Sequence, residues 1–267
     1  LRLLHLIILP LVAITTLGFQ SCAFRPAIDD QGNVTVHSPN KIMRHHGIRE
    51  FEHIKKSKAI SYDPRFTKPV ERVSNRLKKV IKMPGAEWEF VIFKDNSPNA
   101  FALPGGKVGV NTGLFHIIGT GKDSDALLAA VLGHEISHAT ANHAEQRMYR
   151  GVGLAVLGSL LWCSLDNNSV DQPAYAVAAF GLASYLVDSL PFSRKQEYES
   201  DRIGAIYMAK AGYDPHISIE LWRRLRSYHM RRGGQKPEFL RTHPHDDSRI
   251  IALQRYMPIA MRYYTKK

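Results

Sequence analysis

Gly133-His134-Glu135-Ile136-Ser137-His138 holds two histidines four positions apart, with a glutamate directly after the first. At 3.6 residues per turn, positions i and i+4 differ by roughly 40° of rotation, so on a helix both imidazoles leave one face and can hold one metal ion. Glu135 stands beside that pair, where it could take a proton from a metal-activated water and pass it to a leaving amine. The spacing is that of a zinc hydrolase, but it also arises by chance on solvated helices, so the flanks decide. Ser124-Asp125 can cap a helix, and the run that follows carries apolar side chains at Leu127, Leu128, Val131 and Leu132, as a core helix does. Polar groups in such surroundings need partners, and a metal supplies one.

A catalytic zinc site takes three protein ligands and leaves a position open. Downstream, Ser193-Arg194-Lys195-Gln196-Glu197-Tyr198-Glu199-Ser200-Asp201 offers a carboxylate for a second helix. Glu197 and Asp201 are again i and i+4. If Glu197 binds the metal, Asp201 one turn later can accept the free N–H of a ligating histidine. Glu199, turned about 200° from Glu197, points elsewhere. The bland alternative for this stretch is a solvated, charged helix face. His143, nine residues beyond His134 on what reads as the same helix, is expected to be solvent-facing or structural.

These blocks resemble the M48 peptidases, a family of membrane-associated gluzincins. His134-Glu135-Ile136-Ser137-His138 matches one block and Ser193-Arg194 with Glu197-Tyr198-Glu199-Ser200-Asp201 a second, with Ser200 where the family usually has alanine. Asn99 to Leu114, containing Pro104-Gly105-Gly106, looks like a third. The resemblance runs from about residue 60 to the C-terminus. It implies one zinc ion per chain at His134, His138 and Glu197, Glu135 as catalytic base, Asp201 as supporting carboxylate, and polypeptide substrates in envelope or membrane protein quality control. A chaperone-like module of the same fold with little proteolysis is the alternative.

Pro104-Gly105-Gly106 should turn between two short strands. Lys107-Val108-Gly109-Val110 alternates like a strand with one solvated face, which could offer its edge to an extended peptide. An ordinary hairpin packed on the core fits equally well. Arg241-Thr242-His243-Pro244-His245 followed by Arg249 resembles the family's Thr-His-Pro segment. Proline pushes His243 to an extended backbone, from where His243 or Arg249 could act as a removable fourth ligand or an oxyanion contact. A helix start after a loop explains much of that segment without catalysis.

Residues 1–21 read as a signal peptide or N-terminal anchor. Leu1 to Gly18 is apolar with Arg2 near its start, and its apolar core is shorter than a bilayer span of about 20 residues. Phe19-Gln20-Ser21-Cys22 looks like a bacterial lipoprotein cleavage site, with Phe19 and Gln20 departing from the usual residues. That resemblance implies a lipid on Cys22 and, with Ala23 next, an outer-membrane lipoprotein on the periplasmic side of a bacterial envelope. An uncleaved anchor or an organellar presequence is the alternative. Cys22 and Cys163 are too few for a Cys-type zinc site or a paired thiol nucleophile.

A polar linker and a basic amphipathic stretch fill 22–58, and 59–267 is read as one metallopeptidase domain. Val70 to Ile81 is expected as a helix and Trp88 to Phe93 as a buried strand. The apolar runs Val152 to Leu165 and Pro173 to Val187 read as a buried helical hairpin, or else as an apolar flap on a lipid surface. The fold class is α+β: a mostly helical zincin-like body with a small sheet beside the metal helix. With 36 Lys and Arg against 24 Asp and Glu, the net charge of +12 raises the question of nucleic acid. No nucleic-acid motif is present, and an anionic membrane surface suits the charge better.

Overall fold

Asp63-Pro64 sets the first core helix. The Asp63 side chain accepts from the Arg65 N–H, and Pro64 sits where a backbone donor has no helical partner. In the computed structural model the helix runs Pro64–Val80 and buries Val70, Val73, Ser74 and Leu77 on one side. It begins six residues before the expected Val70 because the Asp63-Pro64 start outweighs Pro69 inside it. The structure describes residues 25–119, 124–149, 151, 193–233, 237–243 and 247–265. The signal segment, Cys22, both apolar runs between 152 and 187, and His245 lie outside them.

Ten further helices and strands lie in the described chain, and residues 143–149 are helical as well. With Lys41–Ser57 as α1 and Pro64–Val80 as α2, there follow β1 (Glu89–Phe93), β2 (Ala100–Leu103), β3 (Lys107–Asn111) and, after a 3-10 turn, α3 (Phe115–Ile118). Then come α4 (Ser124–Thr140), α5 (Arg194–Lys210), α6 (Ile217–Arg231), α7 (Glu238–Thr242) and α8 (Asp247–Met261). The body is mostly helical with a small mixed sheet, as the α+β reading holds. The chain divides into two units, one of Ala27–Glu145 with Ser189–Lys267, the other of Leu1–Pro26 with Gln146–Asp188.

The sheet order is β1-β3-β2, with β1 parallel and β2 antiparallel to β3. Pro104-Gly105-Gly106 makes the expected turn, with φ of +95° and +87° at the two glycines. The expectation for β3 needs correction. Lys107, Val108, Gly109 and Val110 are all buried, and both edges of their strand are hydrogen-bonded, so this strand cannot offer an edge to a peptide. Its apparent polar alternation has internal causes. The Lys107 ammonium lies 3.1 Å from a Glu89 oxygen, and Gly109 makes room for the Phe101 ring opposite, which a Cβ there would strike at 2.3 Å. β1 starts at Glu89 and only Ile92 and Phe93 are buried, whereas burial was expected along the whole strand.

α4 is the axis of the core. Every residue from Leu127 to Thr140 is buried, because α2, α5, α6 and β2 all pack around it. The segment expected as a linker is tied down: Thr35 N–H donates to Ala27 O and His37 N–H to Thr140 O, while Ala27 and Ile28 are buried. Among the described residues no helix is long and apolar enough to cross a membrane.

Candidate metal centre

α4 and α5 meet backbone to backbone at two glycines. A Cβ on Gly204 would lie 3.0 Å from the His134 backbone nitrogen, and one on Gly133 would lie 3.1 Å from Gly204 O. Only hydrogen at both positions lets the two backbones come this near, and the near approach brings the faces of α4 and α5 together. The start of α5 is fixed by a capping box: Ser193 Oγ accepts from Gln196 N–H, and Gln196 Oε1 accepts from Ser193 N–H. Glu197 therefore enters in the first turn, pointing at α4.

His134, His138, Glu197 and His243 each present one ligand atom, all within 4.8 Å of one another, and all four residues are buried. His134 Nε2 and His138 Nε2 are 3.2 Å apart. Each lies 3.4 Å from a Glu197 oxygen. His243, at the C-terminal end of α7, places Nδ1 3.0 Å from Glu197 Oε1 and 3.3 Å from His134 Nε2. So many lone pairs gathered out of water are stable when a cation shares them, and nitrogen with carboxylate oxygen is the donor set that suits a zinc-type ion. The residues fit a metal.

Glu135 faces the same space. One of its oxygens lies 3.2 Å from His243 Nε2, and the Ala102 backbone of β2 is near enough to favour its ionised form. Burial and the nearby Glu197 charge push the Glu135 carboxyl up. Burial opposes ionisation of Glu197 too, but His243 and Arg249 outweigh it and hold that carboxyl well below its usual range. For His134, burial is overcome by Asp201 and Glu197, which push it up to about 9. Burial takes His138 the other way, well below the usual histidine value.

Asp201 Oδ1 lies 3.1 Å from His134 Nδ1, on the side away from the cluster. Arg249 behaves differently from a ligand or an oxyanion contact. Its guanidinium is held by carboxylates, 2.6 Å from Glu197 Oε2 and 2.8 and 2.9 Å from the two Asp201 oxygens, and lies 3.9 Å over the Trp222 ring. Two residues that sequence reasoning set aside also reach the centre. α4 ends at Thr140, and Asn142, in the left-handed region at φ 56°, reverses the chain. His143 is thus not on the same helix as the metal pair. It folds back, fully buried, to 2.9 Å from His138 Nδ1, and Glu199 meets it from α5. The signal for that return was Asn142, a residue type that ends helices.

A helix bearing HExxH, crossed by a second helix that brings a glutamate and an aspartate, defines a class: the gluzincin-type metallopeptidases. The chain belongs to peptidase family M48, which it matches over residues 64–257. It is 36% identical over 200 residues to the mitochondrial metalloendopeptidase OMA1 of Schizosaccharomyces pombe, covering 75% of this chain and 55% of that protein. To the beta-barrel assembly-enhancing protease of Yersinia pestis it is 31% identical, covering 73% of this chain and 39% of the relative. The protein of that name from Escherichia coli K12 is 29% identical, over 70% and 38% of the respective lengths. The chain spans about half or less of the length of these relatives.

Proposed function

We propose that this chain is a zinc-dependent endopeptidase acting on polypeptides in envelope or membrane protein quality control. One observation carries the reading: a buried set of two α4 histidines, the α5 glutamate and His243, with Glu135 directed into the same space. Family membership and the names of the relatives support it. His134, His138 and Glu197 would hold the ion, with His243 as a removable fourth ligand or a contact to the oxyanion. A zinc ion held there would polarise the scissile carbonyl and make water nucleophilic near neutral pH.

The protein's own groups do the rest. Glu135 receives the proton of the attacking water on its carboxylate and returns it to the departing amine, and its raised proton affinity suits both transfers. Asp201 and Arg249 hold His134 and Glu197 in place from behind. β2, with no strand on its outer side among the described residues, is the edge along which an extended substrate would lie, since it packs against the helix that carries Glu135. For location, the reading is the periplasmic side of a bacterial envelope, with Cys22 as lipid carrier. The relatives include a mitochondrial protein, so an organellar membrane is the alternative.

Casein digestion tests the enzyme reading. Glu135→Gln should keep its zinc and lose about 10²–10⁴-fold in rate, and a chelator should stop the parent chain. Equal turnover by parent, chelated parent and variant would overturn the protease reading, and casein held without cutting would make the chain a binding module.

A further inference from the structure

His138 turns Nε2 toward the metal cluster and Nδ1 toward His143 Nδ1, 2.9 Å away. At that separation one of the two facing nitrogens carries a hydrogen and the other a lone pair, because two N–H groups or two lone pairs repel. The far side of His143 decides which. Its Nε2 lies 3.0 Å from Glu199 Oε2, and an ionised carboxylate only accepts, so the His143 hydrogen sits on Nε2. His143 Nδ1 is then the acceptor. His138 is left with its hydrogen on Nδ1 and its lone pair on Nε2, facing the cluster. Ser200 Oγ, 3.4 Å from His143 Nδ1, can add only a second donor there.

The chain builds this line deliberately at both ends. Asn142 makes the left-handed turn that returns His143 to α4, with Asn142 N–H bonded to Ala139 O and its side-chain amide 2.7 Å from Glu145 Oε2. Glu199 is gripped on its other oxygen by the Ala27 N–H. His134 has the same arrangement in shorter form, with Asp201 directly on its Nδ1. Each α4 histidine therefore has a carboxylate behind it, one in contact and one acting through an intervening imidazole.

We propose that Glu199 and His143 are positioning residues that fix the tautomer of His138 and so set how tightly the centre holds its metal. This rests on the zinc reading above. Loss of such an outer partner typically weakens metal binding by about 10–100-fold.

Competition between the full chain and a fluorescent zinc chelator reads the effect directly. His143→Leu should lower zinc affinity by about 10–100-fold while still binding one ion at saturation. His143→Gln, whose amide can accept from His138 and donate to Glu199, should recover most of the loss. A purely structural role would instead lower the melting temperature of both variants alike and leave affinity unchanged. Glu199→Gln, which removes the charge and must set its amide N–H against either the Ala27 N–H or the His143 Nε2 hydrogen, should also weaken binding, and it serves if His143→Leu does not fold. Nitrogen-15 NMR of the metal-free parent chain needs no variant and should find the His138 hydrogen on Nδ1. A hydrogen on His138 Nε2, or His143→Leu or Glu199→Gln affinity within about twofold of the parent, overturns the relay. Failure of the parent chain to bind zinc at all would overturn the metal reading instead.

Discussion

Arg249 pairs with two carboxylates that are almost wholly buried. Glu197 and Asp201 are buried one turn apart on α5, and the guanidinium from α8 lies against both, capped by the Trp222 ring. Replacing it by Met would roughly keep the volume and take away the one guanidinium between them, leaving only the imidazoles of His134 and His243 against the two carboxylates. Removing one member of such a buried set costs about 3–5 kcal/mol. Urea denaturation of the metal-free Arg249→Met chain should show that loss, and a change below about 1 kcal/mol would mean the ion pair contributes nothing beyond exposed ones. At this scale the sequence disclosed what helical geometry carries: His134, His138, Glu197 and Asp201 follow from i, i+4 spacing. Glu199 and the carboxylate partners of Arg249 were hidden because their contacts join positions 48 to 56 residues apart, whereas His143 reaches His138 across the turn at Asn142. No local pattern encodes such pairs.

Elements were legible where a single period dominates. α4 stood out through its apolar run, yet it is buried on every side, which no amphipathic count on one helix could show. β3 was misplaced because a lysine and a glycine imitate an exposed strand, although one is paired with Glu89 and the other lies under Phe101. The crossing of α4 and α5 offers a test at this scale. Gly204→Ala raises helix propensity, worth about 1 kcal/mol in an open helix. Here the added Cβ meets three backbone atoms of Gly133 and His134 at 3.0 to 3.3 Å, and a helical backbone cannot step aside as a side chain can. The variant should lose about 1–3 kcal/mol by overpacking and bind zinc less tightly as the helices part. A rise in melting temperature with unchanged zinc affinity would show that the crossing has slack.

For the molecule as a whole, the charge of +12 is the property that one sequence discloses most directly. If it serves to hold the chain near anionic lipid, a Cys22→Ser chain, which cannot carry a lipid, should pellet with anionic vesicles at low salt. It should be released near 1 M salt, where the screening length falls to about 3 Å. Pelleting with neutral vesicles, or indifference to salt, would count against that role. The placement of β2 carries a different consequence. A strand's rim accepts only a partner whose own amides and carbonyls are unengaged, so a protein that is fully folded has nothing to hand to it. A centre served by that rim would tell sound proteins from damaged ones by whether their main chain is already occupied, and would need no particular side chain as a mark.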